Sequence, residues 1–191
     1  MRLTLGEFMF SGLRTAHALK DMESSGQLAP PLRVRSQDST VSLFAPATTA
    51  IRVASAKMQK SYRVMFVLEN LVRELVVEEM TEQFGVDWFD KKATSPMKKK
   101  YADRVKQEKK NRWHESVETD PIYYLDFGDL SRIIRNHWTV FKELFPDQAW
   151  VENKMAEAER CRNVVAHSKQ LRSEDQSRLE MHLRDWIKQV C

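Results

Sequence analysis

Between Thr49 and Phe84 apolar side chains return every three or four positions: Met58, Tyr62, Met65, Leu68, Val72, Leu75 or Val76, Met80 and Phe84. That period predicts one long helix with a face turned to a core, and Gly85 stands where a left-handed cap would end it. The stripe passes beside Glu69 and Arg73, which are one turn apart and can pair. A connecting piece follows over 86–94. Ser95-Pro96 then supplies an N-cap and a proline at the first helical position for a weaker helix, whose apolar line is only Met97, Tyr101 and Val105. After Pro121 the pattern tightens. Asp126 or Asp129 can cap a helix carrying Leu130, Ile133, Ile134, Trp138, Phe141 and Phe145, which Pro146 stops. Asp147 opens the next helix, through Val151, Met155, Ala158 and Val165. Ser173 and Gln176 have capping-box spacing ahead of a last one through Leu179, Leu183, Trp186, Ile187 and Val190.

Helices joined by short loops bury their stripes most simply as an antiparallel bundle, so the expected fold is all-α. Residues 51–191 form the helical domain, with a basic insertion at about 91–112. The first fifty residues read differently. Leu5, Phe8, Met9, Leu13 and Leu19 allow a short helix over 1–23, and the Ser-, Thr- and Pro-rich stretch to 49 reads as a loop with one extended piece, Val41 to Phe44. This is an arm rather than part of the bundle. The chain has no internal repeat and no glycine-rich nucleotide loop.

Composition agrees with one ordered helical domain: 191 residues, 42% hydrophobic, with only 5 Gly and 6 Pro. No apolar run approaches the roughly 18–20 residues that a membrane span needs, and the N-terminus lacks a cleavable leader, so a cytoplasmic protein without a membrane partner is expected. Cys161 and Cys191 are far apart in sequence and lack ligand spacing. They are expected to be thiols in a reducing compartment, with no metal site and no cofactor. Charge changes the picture more. The net charge is +4, yet 91–112 holds ten basic residues against Asp103 and Glu108. Such a segment suits a polyanion such as RNA, with Lys98, Lys99, Lys100, Lys109, Lys110 and Arg112 as the candidate contacts.

The stretch richest in candidate chemistry is Arg162-Asn163-Val164-Val165-Ala166-His167 at the end of a predicted helix. Histidine, with an ordinary pKa of about 6.5, can serve as acid or base. Arginine stays charged and presents a planar fork to phosphate oxygens. Spacing alone is weak, because Arg132 and His137 repeat it inside an apolar stripe, where they read as ordinary helix residues.

The string resembles the signature of the HEPN superfamily: Arg, often followed by Asn, then His after four to six intervening residues. The early helix with Glu69 and Arg73, and the YLDFGDL segment before a helix rich in Ile and Trp, are similar to HEPN domains of nuclear RNA quality-control endonucleases and of bacterial defence and toxin proteins. The resemblance covers roughly residues 58–190. It implies a metal-independent endoribonuclease with Arg162 and His167 as catalytic pair and Asn163, Glu69 and Arg73 in support, acting as a toxin or anti-phage effector. It also implies a homodimer or pairing with another HEPN domain, so that two motifs line one cleft, and an antitoxin or defence-complex partner. Five positions on an ideal helix turn about 140°, so Arg162 and His167 share a face only if the helix ends near Ala166. A catalytically silent HEPN module for dimerisation and RNA or protein binding is the alternative, and a regulatory subunit docking through its first fifty residues is a third.

Overall fold

A computed structural model describes residues 41–111 and 119–190. The expected helix over 1–23, together with Arg112, Trp113 and Cys191, lies outside the described residues. The chain divides into two compact units, residues 1–48 and 49–191. In the first, Val41–Phe44 forms a 3-10 turn rather than the extended piece expected from its residues, and Ala47 N donates to Phe44 O at 3.0 Å. An extended segment of four residues needs a partner strand for its backbone groups. The described residues contain no strand, and local bonds take that place.

The second unit is an all-α bundle. Its helices are α1 (Thr49–Phe84), α2 (Trp88–Lys92), α3 (Ser95–Lys110), α4 (Phe127–Asn136), α5 (Trp138–Phe141), α6 (Gln148–Ala166) and α7 (Ser173–Val190), with a 3-10 turn at Pro121–Tyr124. Helix α1 packs on α4, α6 and α7; α4 also packs on α6, and α6 on α7. Met65, Leu68, Val72, Val76 and Met80 of α1 are buried against Leu130, Phe141, Val151, Met155, Leu179 and Trp186. Gly85 ends α1 with a φ of +88°, the conformation that its missing Cβ permits. Tyr62, expected on the core-facing stripe, is instead 57% exposed, because the buried face of α1 runs through Ser61, Met65, Leu68 and Val72 and leaves position 62 to one side. At the other end of the chain Ile187 is also exposed.

Two helices depart from the pattern. The connecting piece 86–94 contains α2, too short to show a period; Asp90 lies in its first turn and Lys91 and Lys92 in its last, charges that suit the helix dipole, while Trp88 and Phe89 are buried. The helix expected to run from Asp126 to Phe145 breaks at His137, whose ring stands edge-on to Phe84 at 5.7 Å. The chain restarts as α5, burying Phe141 completely and stacking Trp138 on Phe145. Arg132 pairs with Asp129 at 3.0 Å. Arg132 is thus an exposed helix residue in an ion pair, whereas His137, expected as an ordinary helix residue, stands at the break between α4 and α5.

Polar contacts hold α3 to the bundle. Met97 is buried, and Tyr101 meets Tyr124 edge-on at 5.2 Å. Lys100 bonds both Asp126, at 2.6 Å, and Asp129; Arg104 reaches Asp126 at 2.7 Å and the Tyr124 carbonyl at 2.6 Å. Asp129 is 3% exposed, and its carboxylate also accepts from the Asp126 backbone N–H at 3.1 Å, the N-terminal cap of α4. Burial opposes ionisation of Asp126, but the hydrogen bonds from Lys100 and Arg104 outweigh it and hold its carboxyl below the ordinary 3.8. Burial likewise works against charge on Lys100, and its bonds to Asp126 and Asp129 outweigh that and raise it above 10.5.

Removing the Asp129 carboxylate leaves Lys100 with one carboxylate partner and removes half of the capping box of α4. Asp129→Ala is expected to lower stability by about 2–3 kcal/mol, read as a lower urea midpoint. The depressed carboxyl of Asp126 contributes stability that is present above pH 3.8 and lost as pH falls through its lower folded value. The raised Lys100 contributes below pH 10.5 and loses this as pH rises through its higher folded value. Replacing Lys100 with Met should therefore flatten the unfolding midpoint against pH at both ends.

Candidate active site

The site is built where the middle of α1 meets the end of α6. Glu69 and Arg73 lie one turn apart on α1, 13% and 11% exposed in their side chains, and Arg73 Nη2 donates to Glu69 Oε1. Arg73 Nη1 also donates to Asn70 Oδ1 at 3.3 Å, and its guanidinium lies 5.3 Å from the centre of the Tyr123 ring. Asn70 in turn donates to the Phe66 carbonyl at 2.8 Å. Arg73 is therefore held on several sides. Glu69 is not fully spent on it, since its second oxygen stands 3.9 Å from Arg162 Nε on α6.

Arg162 differs from Arg73 in exposure. Its side chain is 35% exposed, and among the described residues its one ion pair is that long contact to Glu69. A guanidinium oriented by a distant carboxylate but still reachable from solvent can take an oxyanion in a bidentate grip. It lines a groove of about 390 Å³ with Tyr62, Phe66, Glu69, Asn70, Arg73 and Tyr123.

Four residues beyond Asn163, the helix ends. The His167 N–H donates to the Asn163 carbonyl at 3.1 Å; Ser168 N–H then bonds Val165 O and Lys169 N–H bonds Val164 O, each at 3.0 Å. This is a Schellman ending with Ser168 at φ 55° in the left-handed position usually held by glycine. Ser168 is the only non-glycine residue with positive φ among those described, a conformation that costs on the order of 1–2 kcal/mol. The turn ends the helix at Ala166, and His167 is the cap residue itself with an exposed ring. The helix thus stops before His167. His167 does not itself line the Arg162 groove, although Val165 and Ala166 do. Asn163 is exposed on α6.

The basic segment divides. Lys100 is committed to Asp126 and Asp129, and Lys98 Nζ to the Asp90 carbonyl. Lys99, Lys109 and Lys110 are exposed. The turn at Pro121–Tyr124 joins the two regions: Tyr123 stands in the groove, while Tyr124 donates to Glu108 of α3 at 2.6 Å, a bond that helps push its own hydroxyl up to about 12. No group of three or more His, Cys, Asp or Glu side chains that could hold a metal occurs among the described residues, and no described helix is long and apolar enough to cross a membrane. Cys161 is a buried thiol, pushed up by burial. Asn70, Tyr123 and Phe66 escaped the sequence reading. Asn70 alone left a trace there, three residues before Arg73 on the same helix.

An all-α bundle with Arg-Asn-x-x-Ala-His closing one of its helices defines the class, and the comparison with known families agrees. The family model described as Swt1-like HEPN matches residues 63–191, and the chain belongs to that family. The match begins within α1 and includes Glu69, Arg73, Arg162, Asn163 and His167. No curated protein and no solved structure matches the chain.

The two arginines of the groove are expected to behave differently. Arg73→Ala strands the half-buried Glu69 carboxylate and should lower stability by about 2–4 kcal/mol. Arg162→Ala, removing a partly exposed group with one long contact, should change it by less than about 1 kcal/mol. Urea unfolding of the two variants separates the supporting arginine from the available one.

Proposed function

We propose that this protein is a metal-independent endoribonuclease of HEPN type. The observation that carries the reading is the Arg162 guanidinium, part-exposed in a groove and oriented by a buried carboxylate, on the helix that ends at His167. The general HEPN association with RNA cleavage supports it. In this reading His167 handles protons at the ribose 2′-OH or the leaving 5′ oxygen, and Arg162 stabilises the charge on the phosphorane. The 2′ oxygen bonds to phosphorus and the P–O5′ bond breaks, leaving a 2′,3′-cyclic phosphate and a 5′-hydroxyl. Asn163 orients the phosphate or the imidazole, and Glu69 and Arg73 position Arg162. Because His167 stands at the helix end rather than on the groove wall, the working site is composite, formed by two copies or by pairing with another HEPN domain. Lys99, Lys109, Lys110 and Arg112 hold the RNA backbone, with Lys98 beside them; Lys100 serves the fold. A cytoplasmic role as a toxin or defence effector, held in check by an antitoxin or complex partner, fits a nuclease of this kind.

The position of His167 off the groove wall also favours a second reading, a catalytically silent module that dimerises and binds RNA or protein. Incubation of the full chain with transfer and messenger RNA in EDTA separates the two. Cleavage is expected to fall about 10²- to 10⁴-fold in His167→Ala and in Arg162→Ala while the folded state is retained. Equal cleavage by parent and variants, or none by any of them, contradicts the nuclease.

A further inference from the structure

Tyr62 and Phe66 are large aromatic side chains on α1, 57% and 55% exposed, one turn apart with ring centres 6.0 Å from each other and planes inclined by 35°. Neither contributes to the core. Both line the groove that holds Arg162 and Arg73. Tyr62 also borders a neighbouring groove with Val165 and Ser168, residues on either side of the helix end that carries His167. Two solvent-facing rings therefore stand beside the part-exposed guanidinium, and Tyr62 also borders the end of α6.

We propose that Tyr62 and Phe66 form a stacking platform for an unpaired nucleobase, which makes single-stranded or looped RNA, rather than duplex, the substrate class of this groove. The proposal rests on the ribonuclease reading. Ring faces are available only on bases that have left a duplex, whereas a helical stem presents phosphates and base edges. Aromatic stacking supplies sequence-tolerant grip, and a neighbouring arginine supplies the phosphate contact, so the two kinds of group belong together in a single-strand site. Charge complementarity favours a nucleic acid over an apolar partner: both rings share their groove with two guanidiniums, and Glu69 offsets only one of them. The groove volume of about 390 Å³ lies in the range that receives a small ligand, such as a single nucleotide.

The test uses the full chain carrying His167→Ala, to prevent turnover, with a 12-nucleotide RNA containing one 2-aminopurine and with the same strand paired to its complement. Stacking should quench the 2-aminopurine of the single strand. In the added Tyr62→Ala/Phe66→Ala pair the quenching should disappear and single-strand affinity fall about 5- to 100-fold, with duplex affinity changed less than about twofold. Tyr62→Phe should retain both. Sedimentation should give the same mass for parent and variant. Retained quenching, or equal losses for single strand and duplex, overturns the platform. A halved mass in the variant overturns it too, because the rings then serve as a contact between copies. Full quenching in the variant together with cleavage by the His167-bearing protein removes the platform alone. A chain that neither binds nor cleaves either RNA removes the ribonuclease reading as well.

Discussion

A carboxylate taken largely out of water is tolerated only when its partners restore what hydration supplied, and Glu69 is such a group. One oxygen is bonded to Arg73 on its own helix, and the other faces Arg162 across the helix interface. That pair ties the longest helix of the bundle to the helix that carries the signature motif. It also sorts the two arginines, since Arg73 is locked by Glu69, Asn70 and Tyr123 while Arg162 keeps part of its surface for a ligand. Downstream, the turn at Ser168 stops α6 at Ala166. His167 caps that end with an exposed ring, off the wall of the Arg162 groove.

A second polar cluster does the same for the basic segment. Asp129 is buried and shared by Lys100, Arg132 and the backbone of Asp126, so α3 is anchored through charge more than through its thin apolar line. The cost of burying Asp129 is offset by this number of partners. The anchoring divides a run of lysines and arginines that looks uniform in sequence. Some face the bundle and are consumed there, and others face solvent near the turn that also contributes Tyr123 to the groove.

Much of this was legible from the order of residues. The 36-residue helix α1, the cap at Asp147, the end of α6 at Ala166 and the demotion of Arg132 follow from periodicity and punctuation, which are local. What escaped was long-range or too short to be periodic. Helix α2 has five residues, less than two turns. The break at His137 depends on the ring of Phe84, more than fifty residues away. Lys100 and Asp129 are 29 positions apart, and nothing in either neighbourhood marks one as the other's partner. Tyr62 was placed on the core face because its spacing fits, but the buried face at that turn is taken by Ser61. Of the residues around the groove, Arg162 was readable through the motif and Glu69 and Arg73 through their spacing on α1, whereas Phe66 and Tyr123 were not, because their position depends on which faces the bundle leaves open.

The account comes down to one chemical claim, that the end of α6 directs a ribose 2′-OH against its own phosphate. It is tested most directly with an RNA oligonucleotide that the protein cleaves at a mapped bond, remade with a single 2′-deoxy substitution immediately 5′ of that bond, in EDTA. The account predicts that cleavage at that bond disappears while other bonds are cut as before, and that the all-ribose product carries a 2′,3′-cyclic phosphate. Continued cleavage at the substituted bond, or a product ending in a free 3′-hydroxyl, would contradict it.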